Sequence, residues 1–221
     1  LCSKLKLLNK TIGQPLNFGV NLRVTPTTDF EELFTSLKES NFKFVNIGLE
    51  SGSEQIRREI LKRNYSNDDI TEAVTLARKC GLKVNFYNMI GIPGETLADF
   101  EETIKINRIC QPDSQMLSIF YPYPGTDLYI LCQQQGLLQE PLSQDMERSK
   151  AVLSLPGFSK KQIQKNYIWF AYHVYKGYKP IYKILASVMV HKFHSNYYLN
   201  KLYRILTKIE ILKQLKYFLR F

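Results

Sequence analysis

Strand-like and helix-like segments alternate strictly along the first 120 residues of this chain of 221 residues. The strand-like segments are short and apolar, and the segments between them repeat apolar residues at the i, i+3, i+4, i+7 spacing of an amphipathic helix. The predicted strands cover residues 20–24, 42–49, 82–92 and 115–120. Strict alternation of this kind forms right-handed β-α-β units on a parallel sheet, which is either open or closed into a barrel.

Residues at the helix ends support this order. Between the second and third strands the helical sequence comes in two pieces, residues 53–62 and a piece that begins at Ser66. Asp69, three residues after Ser66, completes the signature of a capping box, and Gly81 is placed to end that helix. A further helix is predicted over residues 97–109.

Turn-forming and polar residues follow three of the predicted strands, in the segments Gly48–Ser53, Gly91–Thr96 and Tyr121–Thr126. Ligands of parallel α/β folds bind at the carboxyl ends of the strands, where these segments lie. Glycines allow the backbone to approach a ligand, and carboxylates and hydroxyls can bond to sugar hydroxyls. The alternative is that these residues only form β-α turns, with Glu50 or Glu95 favouring a helix N-terminus.

The charge of the chain is concentrated in its last part. Residues 159–221 carry 13 Lys and Arg and a single acid, for a net charge of +12, whereas residues 1–158 have a net charge of −2. A turn signal at Pro156 and Gly157 lies where the two compositions meet. We therefore predict three regions: a domain over 1–138, a linker over 139–158, and a basic, aromatic-rich helical extension over 159–221.

The extension carries two helix patterns. The first covers residues 158–170 with Ser159 as its cap, and the second covers residues 197–221 with one apolar stripe and lysines beside it. A basic amphipathic helix can lie on an anionic membrane surface, or pack on the rest of the protein with its basic side in water. Single-stranded nucleic acid is less favoured because no RNA-binding module is recognisable. His191 and His194 have no nearby carboxylate or thiol in sequence, which favours surface residues over metal ligands.

Other features exclude several classes of protein. No apolar run approaches the roughly 20 residues of a membrane-spanning helix. All three histidines lie in the last fifty residues, which argues against a histidine-based hydrolase. The four cysteines match neither a close metal-binding pair nor a disulfide-dense domain, and so we expect a cytoplasmic protein. The sequence starts at Leu1 within a helical pattern, from which we expect a fragment of a longer protein.

The segments IGLESGSE, NMIGIPGET and FYPYPGT, in this order and at these separations, resemble the second half of a radical S-adenosylmethionine (SAM) barrel. The resemblance covers residues 1–138 and is closest to the group that often carries a cobalamin-binding domain ahead of the barrel. It implies an α/β fold, an incomplete partial (β/α) TIM barrel of parallel strands, here followed by the basic helical extension. It also implies an enzyme that binds SAM and a 4Fe–4S cluster and generates a 5′-deoxyadenosyl radical.

The resemblance implies eight cofactor-binding residues: Glu50, Ser51, Gly52, Ser53, Arg63, Asn88, Gly91 and Glu95. In this reading Glu50 and Ser51 lie beside the SAM ribose and methionyl groups. The strand edge from Asn88 to Gly91 lies against the adenine, and Glu95 braces the turn that follows.

Two cationic positions and one tyrosine complete the implied site. Arg63, or Lys62 beside it, lies near the SAM carboxylate, where a fixed cation has an obvious partner. Arg23 and Tyr121 are implied on the substrate side. For Arg23 an ordinary ion pair at the barrel end is an equal alternative. No catalytic residue is implied.

The sequence departs from the family in one large respect. It contains neither the CxxxCxxC loop that binds the cluster nor the glycine-rich segment that holds the SAM amine. Cys2 cannot replace three converging thiolates, so the resemblance places the cluster ligands outside this chain. Two alternatives follow: a fragment of a radical SAM enzyme, or a non-catalytic partial-barrel binding protein with a basic tail.

For the enzyme, the resemblance implies a small-molecule or lipid-linked substrate, with methylation as one outcome of the radical chemistry. It implies an electron donor such as flavodoxin or ferredoxin, and it allows cobalamin in the full-length protein. Residues 197–221 are the expected place of a peripheral membrane contact.

Overall fold

The computed structural model describes residues 1–138 and 147–206. The described strands are β1 (Phe18–Leu22), β2 (Phe42–Glu50), β3 (Lys83–Ile90) and β4 (Ser114–Ile119). The described helices are α1 (Cys2–Thr11), α2 (Phe30–Glu39), α3 (Asn67–Lys79), α4 (Leu97–Cys110), α5 (Asp127–Gln134), α6 (Lys160–Tyr175), α7 (Ile181–His194) and α8 (Tyr197–Leu206), and a π-helical turn spans Ile56–Ile60.

The four strands form one parallel sheet in chain order, with helices α2, α3 and α4 connecting them. The predicted α/β fold with a parallel sheet is therefore confirmed. β1 begins at Phe18, earlier than predicted, because Phe18 pairs with Phe42 of β2. β3 ends at Ile90, earlier than predicted, because Gly91 turns the chain with a φ of 80°.

The helix-end signals in the sequence correspond to observed caps. Ser66 and Asp69 form the predicted capping box at the start of α3, and Gly81 follows the helix with a φ of 72°. The segment predicted as an ordinary helix over residues 53–62 instead contains the π-helical turn, in which a backbone hydrogen bond spans five residues rather than four. Such turns accommodate one extra residue, which changes the directions of the side chains that follow.

Two hydrophobic cores fill the space between the sheet and its helices. The first joins β1, β2 and β3 to α2 and α3, with Phe34, Ile47, Ile70 and Phe86 fully buried. All the residues of this core belong to the domain predicted over 1–138. Burial of these side chains is the main driving force that holds the crossover helices on the sheet.

The second core includes the first helix of the extension. Phe170 of α6 is fully buried, and its ring centroid lies 5.6 Å from that of Phe100 in α4. The side chain of Arg108, also in α4, donates to the carbonyl of His173 at 2.9 Å and to that of Lys176 at 3.1 Å. Ser159 caps α6 as predicted. Thus α6 packs on the predicted domain. The predicted boundaries between domain, linker and extension, at residues 138 and 158, stay predictions.

The described part of the extension continues as α7 and α8. The sequence predicts a helix over 197–221; α8 confirms it as far as Leu206, and residues 207–221 lie outside the described residues. His191, expected at the surface, is partly buried: its ring lies edge-on to Tyr167 at 4.9 Å, and burial lowers its pKa to about 4. None of the described helices is long and apolar enough to cross a membrane.

The sheet face opposite α2 and α3 is only partly covered by the described residues, and we call it the open face. The residues on this face are all exposed or half-buried: Asn21, Phe44, Asn46, Gly48, Asn85, Tyr87, Met89, Ser114, Met116 and Ser118. A row of hydrogen bonds crosses all four strands there, from Asn21 through Asn46 and Asn85 to Ser114, with distances of 2.7 to 2.9 Å. The open face is therefore polar at its centre.

Truncating Phe170 to alanine tests whether α6 belongs to the core of the domain. We expect Phe170→Ala to lower the free energy of unfolding by about 3–5 kcal/mol, the usual cost of emptying a buried phenylalanine site. Trp169→Ala is the matched control, since Trp169 is 40% exposed and its loss should cost less than about 1 kcal/mol. Urea unfolding gives both values. Equal effects of the two variants, or a separate transition for the extension, would contradict the shared core.

Candidate active site

The carboxyl end of β2 carries an ion pair on the open face. Glu50 has a φ of 62°, and the pairing register between β2 and β3 shifts between Gly48 and Glu50. This irregularity brings the carboxylate back over Gly48. If any other residue replaced this glycine, its Cβ would lie 2.7 Å from Glu50 Oε1. The same oxygen lies 3.3 Å from an Arg63 guanidinium nitrogen. Glycine at position 48 thus leaves room for the pair.

The pair remains accessible to a ligand. The side chains of Arg63 and Glu50 are 26% and 17% exposed. Burial raises the pKa of the Glu50 carboxyl, and the charge of Arg63 opposes that rise. A carboxylate in this place can accept hydrogen bonds from hydroxyl groups, and a guanidinium can bind a carboxylate.

Two buried side chains hold this irregular strand end. The Tyr65 hydroxyl donates to the carbonyl of Gly48 at 2.8 Å and to that of Leu49 at 3.2 Å. The Arg57 guanidinium donates to the carbonyl of Ser51 at 2.6 Å and to that of Tyr65 at 3.2 Å, and lies 4.9 Å from the centre of the Tyr65 ring. Arg57 is fully buried.

Sequence reasoning missed Arg57 and Tyr65. Arg57 lies in a charged stretch, Arg57–Arg58–Glu59, that has the composition of a solvent-exposed helix face. The π-helical turn begins at Ile56 and carries Arg57 inward, whereas the side chain of Arg58 is 62% exposed. Periodicity alone gives no signal for this difference.

The turn from Ser51 to Ser53 is largely bonded to the protein itself. Ser51 is fully buried, and the Gly52 N–H donates to Thr103 Oγ1 at 2.7 Å. A Cβ at Gly52 would clash with the backbone of α4, so this glycine allows a helix, rather than a ligand, to approach closely. Ser53 Oγ donates to Asp99 at 2.7 Å. The cofactor contacts implied for these three residues stay predictions.

Asn88 lies on the helix side of the sheet and not on the open face. Its amide oxygen accepts from Asn107 of α4 at 2.9 Å, its amide nitrogen lies 3.3 Å from the Met116 carbonyl, and only 2% of the residue is exposed. A contact of its side chain with adenine is not supported by this orientation. The contact between this strand edge and the adenine, which the resemblance implies, stays a prediction.

Glu95 closes the turn after β3. Its Oε2 accepts from the Gly91 N–H at 2.6 Å and from the Ile92 N–H at 3.2 Å, the bracing geometry that the resemblance implies. Burial raises the pKa of this carboxyl to about 8, despite these two hydrogen bonds. A Cβ at Gly91 would lie 3.3 Å from Ile163 of α6, which shows that this turn also supports the extension.

The implied substrate-side residues differ in exposure. Arg23 is exposed, and its guanidinium lies 3.5 Å from the carbonyl of Lys62, the residue before Arg63 of the ion pair. In the part of the chain that the structure describes, no carboxylate lies within ion-pair distance of Arg23, so the ion-pair alternative finds no support there. Tyr121 is 8% exposed and stacks edge-on with Tyr123 at 5.1 Å. The substrate contact implied for Tyr121 stays a prediction.

The cysteines do not fit an iron–sulfur cluster. Cys80 and Cys110 lie at the ends of α3 and α4, at the amino edge of the sheet and away from Glu50. Cys132 is buried in α5, and Ser40 bonds to the carbonyl of Cys2 at the end of α2. Within residues 1–138 and 147–206, which include every cysteine, no group of three His, Cys, Asp or Glu could hold a metal ion.

Residues 3–106 match the family model described as the Radical SAM superfamily, which confirms the resemblance; the match includes the segments IGLESGSE and NMIGIPGET, and FYPYPGT follows it. An uncharacterized methyltransferase of Pyrococcus horikoshii is 30% identical over 156 residues, covering 71% of this chain and 33% of the relative. The anaerobic magnesium-protoporphyrin IX monomethyl ester cyclase of Rubrivivax gelatinosus is 24% identical over 124 residues, covering 56% of this chain and 22% of the relative. The chain thus spans a third or less of these relatives.

A solved structure shows the same fold. The radical S-adenosylmethionine methyltransferase TsrM of Kitasatospora setae, solved with cobalamin and a 4Fe–4S cluster bound, superposes with a TM-score of 0.52 and 15% identity. The superposition covers 86% of this chain and 39% of TsrM. At this identity the likeness establishes the fold, and it extends beyond the residues that match the family model.

Replacing Arg57 tests the role of the buried guanidinium. We expect Arg57→Met to lower the free energy of unfolding by about 2–4 kcal/mol, because it leaves the Ser51 and Tyr65 carbonyls buried without donors. Arg58→Met removes the same charge from the neighbouring, exposed position and should cost less than about 1 kcal/mol. Chemical denaturation measures both changes. If the two variants are equally stable, Arg57 does not hold the end of β2.

Proposed function

We propose that this chain, whose residues 3–106 form a segment of a radical SAM domain, supplies the SAM-contacting and substrate-facing half of a radical SAM enzyme. The single observation that carries the proposal is the Glu50–Arg63 ion pair at the carboxyl end of β2, accessible from the open face. In a parallel α/β fold this is the edge where ligands bind. SAM offers ribose hydroxyls to a carboxylate and an α-carboxylate to a guanidinium, so the donor set suits it.

Glu50 and Arg63 are stronger candidates for SAM contact than the other implied residues. Their charged groups reach the open face, whereas Ser53 and Asn88 are bonded to α4 and Glu95 to its own turn. We therefore assign Glu50 to the SAM hydroxyls and Arg63 to its carboxylate. The other residues shape the edge on which this pair lies.

We further propose that the full protein modifies a small-molecule or lipid-linked substrate by methyl transfer or a related radical reaction. The support comes from relatives whose names describe a methyltransferase and a porphyrin ester cyclase, and from the cobalamin bound in TsrM. Cobalamin and an electron donor such as flavodoxin or ferredoxin belong to the same proposal. Arg23, which is exposed and contacts the carbonyl of Lys62 next to Arg63, is the residue of this chain that we assign to the substrate side.

One observation favours the alternative of a non-catalytic binding protein. The cysteines of the chain do not converge in the described structure, so no step of radical formation is derived from these residues. Binding of SAM does not depend on that step. The two functions are therefore tested separately, first by SAM affinity and then by cluster assembly.

Calorimetry of SAM binding to the intact chain and to its variants tests the assigned contact. We expect Glu50→Ala and Arg63→Gln each to weaken SAM binding by about 1–3 kcal/mol, through the loss of hydrogen bonds to the ligand. Glu59→Ala is the matched control, because Glu59 lies in the π-helical turn between Glu50 and Arg63, with its side chain 52% exposed and paired with Arg58. Affinity that is unchanged in Glu50→Ala, or lowered equally in Glu59→Ala, would refute the assignment.

Anaerobic reconstitution with iron and sulfide tests cluster binding by this chain. Because its cysteines lie in separate places, we expect residues 1–221 to develop no 4Fe–4S absorbance. A protein that adds a CxxxCxxC segment upstream of this chain should develop it, and provides the positive control. A stable cluster on residues 1–221, with SAM cleavage upon reduction, would overturn the assignment of the cluster ligands to another part of the protein.

A further inference from the structure

Helix α7 exposes an apolar stripe. Its exposed large apolar residues are Ile181, Tyr182, Leu185 and Met189, with exposed fractions of 55%, 51%, 46% and 51%. At about 100° per residue these positions fall within one third of the helix circumference. Ile184 and Val188, which are buried against the protein, lie directly beside this stripe on the helix surface. A surface helix normally turns polar residues outward, but the apolar surface of α7 extends beyond the part that packs on the protein.

Helix α8 repeats this arrangement. Tyr198, Leu202 and Ile205 are 79%, 46% and 56% exposed and follow the i, i+4, i+7 spacing of one helix face. Lys201 and Arg204 are exposed along one side of that face. We call the exposed residues just named in α7 and α8, together with the exposed Lys192 of α7, the α7–α8 surface.

The charged residues in the segment that carries the α7–α8 surface have one sign. Residues 160–206 contain nine Lys and Arg and no Asp or Glu. A second copy of the chain would bring the same positive charge to the contact, which disfavours self-association through this surface. An anionic partner is complementary to it.

The side chains at the centre of the surface distinguish between anionic partners. Single-stranded nucleic acids bind to aromatic rings on which bases stack. Here the centre of α7 is aliphatic, with Leu185 and Met189, and the tyrosines lie nearer to the ends of the stripe. Aliphatic side chains with basic residues beside them suit insertion among lipid acyl chains under anionic headgroups, with tyrosines at the headgroup level.

We propose that the α7–α8 surface is a peripheral binding site for membranes that contain anionic phospholipids. Leu185, Met189, Leu202 and Ile205 enter the acyl region, and Lys192 and Lys201 bind lipid phosphates. The proposal concerns a surface separate from the Glu50–Arg63 pair. Its test therefore does not depend on SAM binding.

Co-sedimentation with vesicles tests the site in the intact chain. We expect binding to vesicles of phosphatidylcholine with 30% phosphatidylglycerol, about tenfold or more above binding to phosphatidylcholine alone, and weaker binding at high salt. The variant Lys192→Gln/Lys201→Gln should lower the affinity for anionic vesicles on the order of 30-fold. The matched control, Lys4→Gln/Lys10→Gln, removes the same charge from exposed lysines of α1 and should change affinity by about twofold or less.

A second variant isolates the apolar contribution. Leu185→Ser/Met189→Ser replaces exposed side chains, so its circular dichroism spectrum should match that of the parent, and its vesicle affinity should fall at least about tenfold. Equal binding to neutral and anionic vesicles, or equal effects of the two lysine pairs, would overturn the proposal. So would binding to single-stranded RNA without binding to vesicles.

Discussion

The buried guanidinium of Arg57 is the interaction on which the candidate site depends. The last residues of β2 leave the regular ladder, and a backbone carbonyl that leaves a ladder inside a protein needs another donor. Arg57 supplies this donor to Ser51, and Tyr65, itself held by Arg57, supplies it to Gly48 and Leu49. The irregular strand end is stable for this reason, and it carries Glu50 onto the open face beside Arg63.

The alternation of strands and helices could be predicted from the sequence because each element has its own apolar period. The starts of α3 and α6 could be predicted because the side chains of Ser66 and Ser159 cap these helices. The sides of the sheet follow from alternation: Asn88 continues the buried positions Val84 and Phe86, and Glu50 continues the open-face positions Asn46 and Gly48. The backbone geometry at the end of β2 could not be predicted. The register shift after Gly48 and the positive φ of Glu50 leave no periodic signal in the sequence.

One missed feature did have a signal. Asparagine occupies the same position in three strands, in the sequences Val20–Leu22, Val45–Ile47 and Val84–Phe86, and the three side chains form the polar row of the open face. No sequence signal predicted where α6 packs. An amphipathic pattern indicates that one face of a helix is covered, but not which residues cover it. The structure shows that Phe100 of α4 and the turn at Gly91 cover it.

We propose above all that SAM contacts the carboxylate of Glu50, rather than a carboxylate such as that of Glu95, which is hydrogen-bonded within the protein. Carbon-13 NMR of glutamate side-chain carboxyls, followed through a SAM titration, tests it most directly. We predict that the Glu50 resonance shifts as SAM saturates the protein, while the resonances of Glu59 and Glu95 stay in place. A titration in which the Glu95 resonance shifts and the Glu50 resonance does not would contradict this assignment.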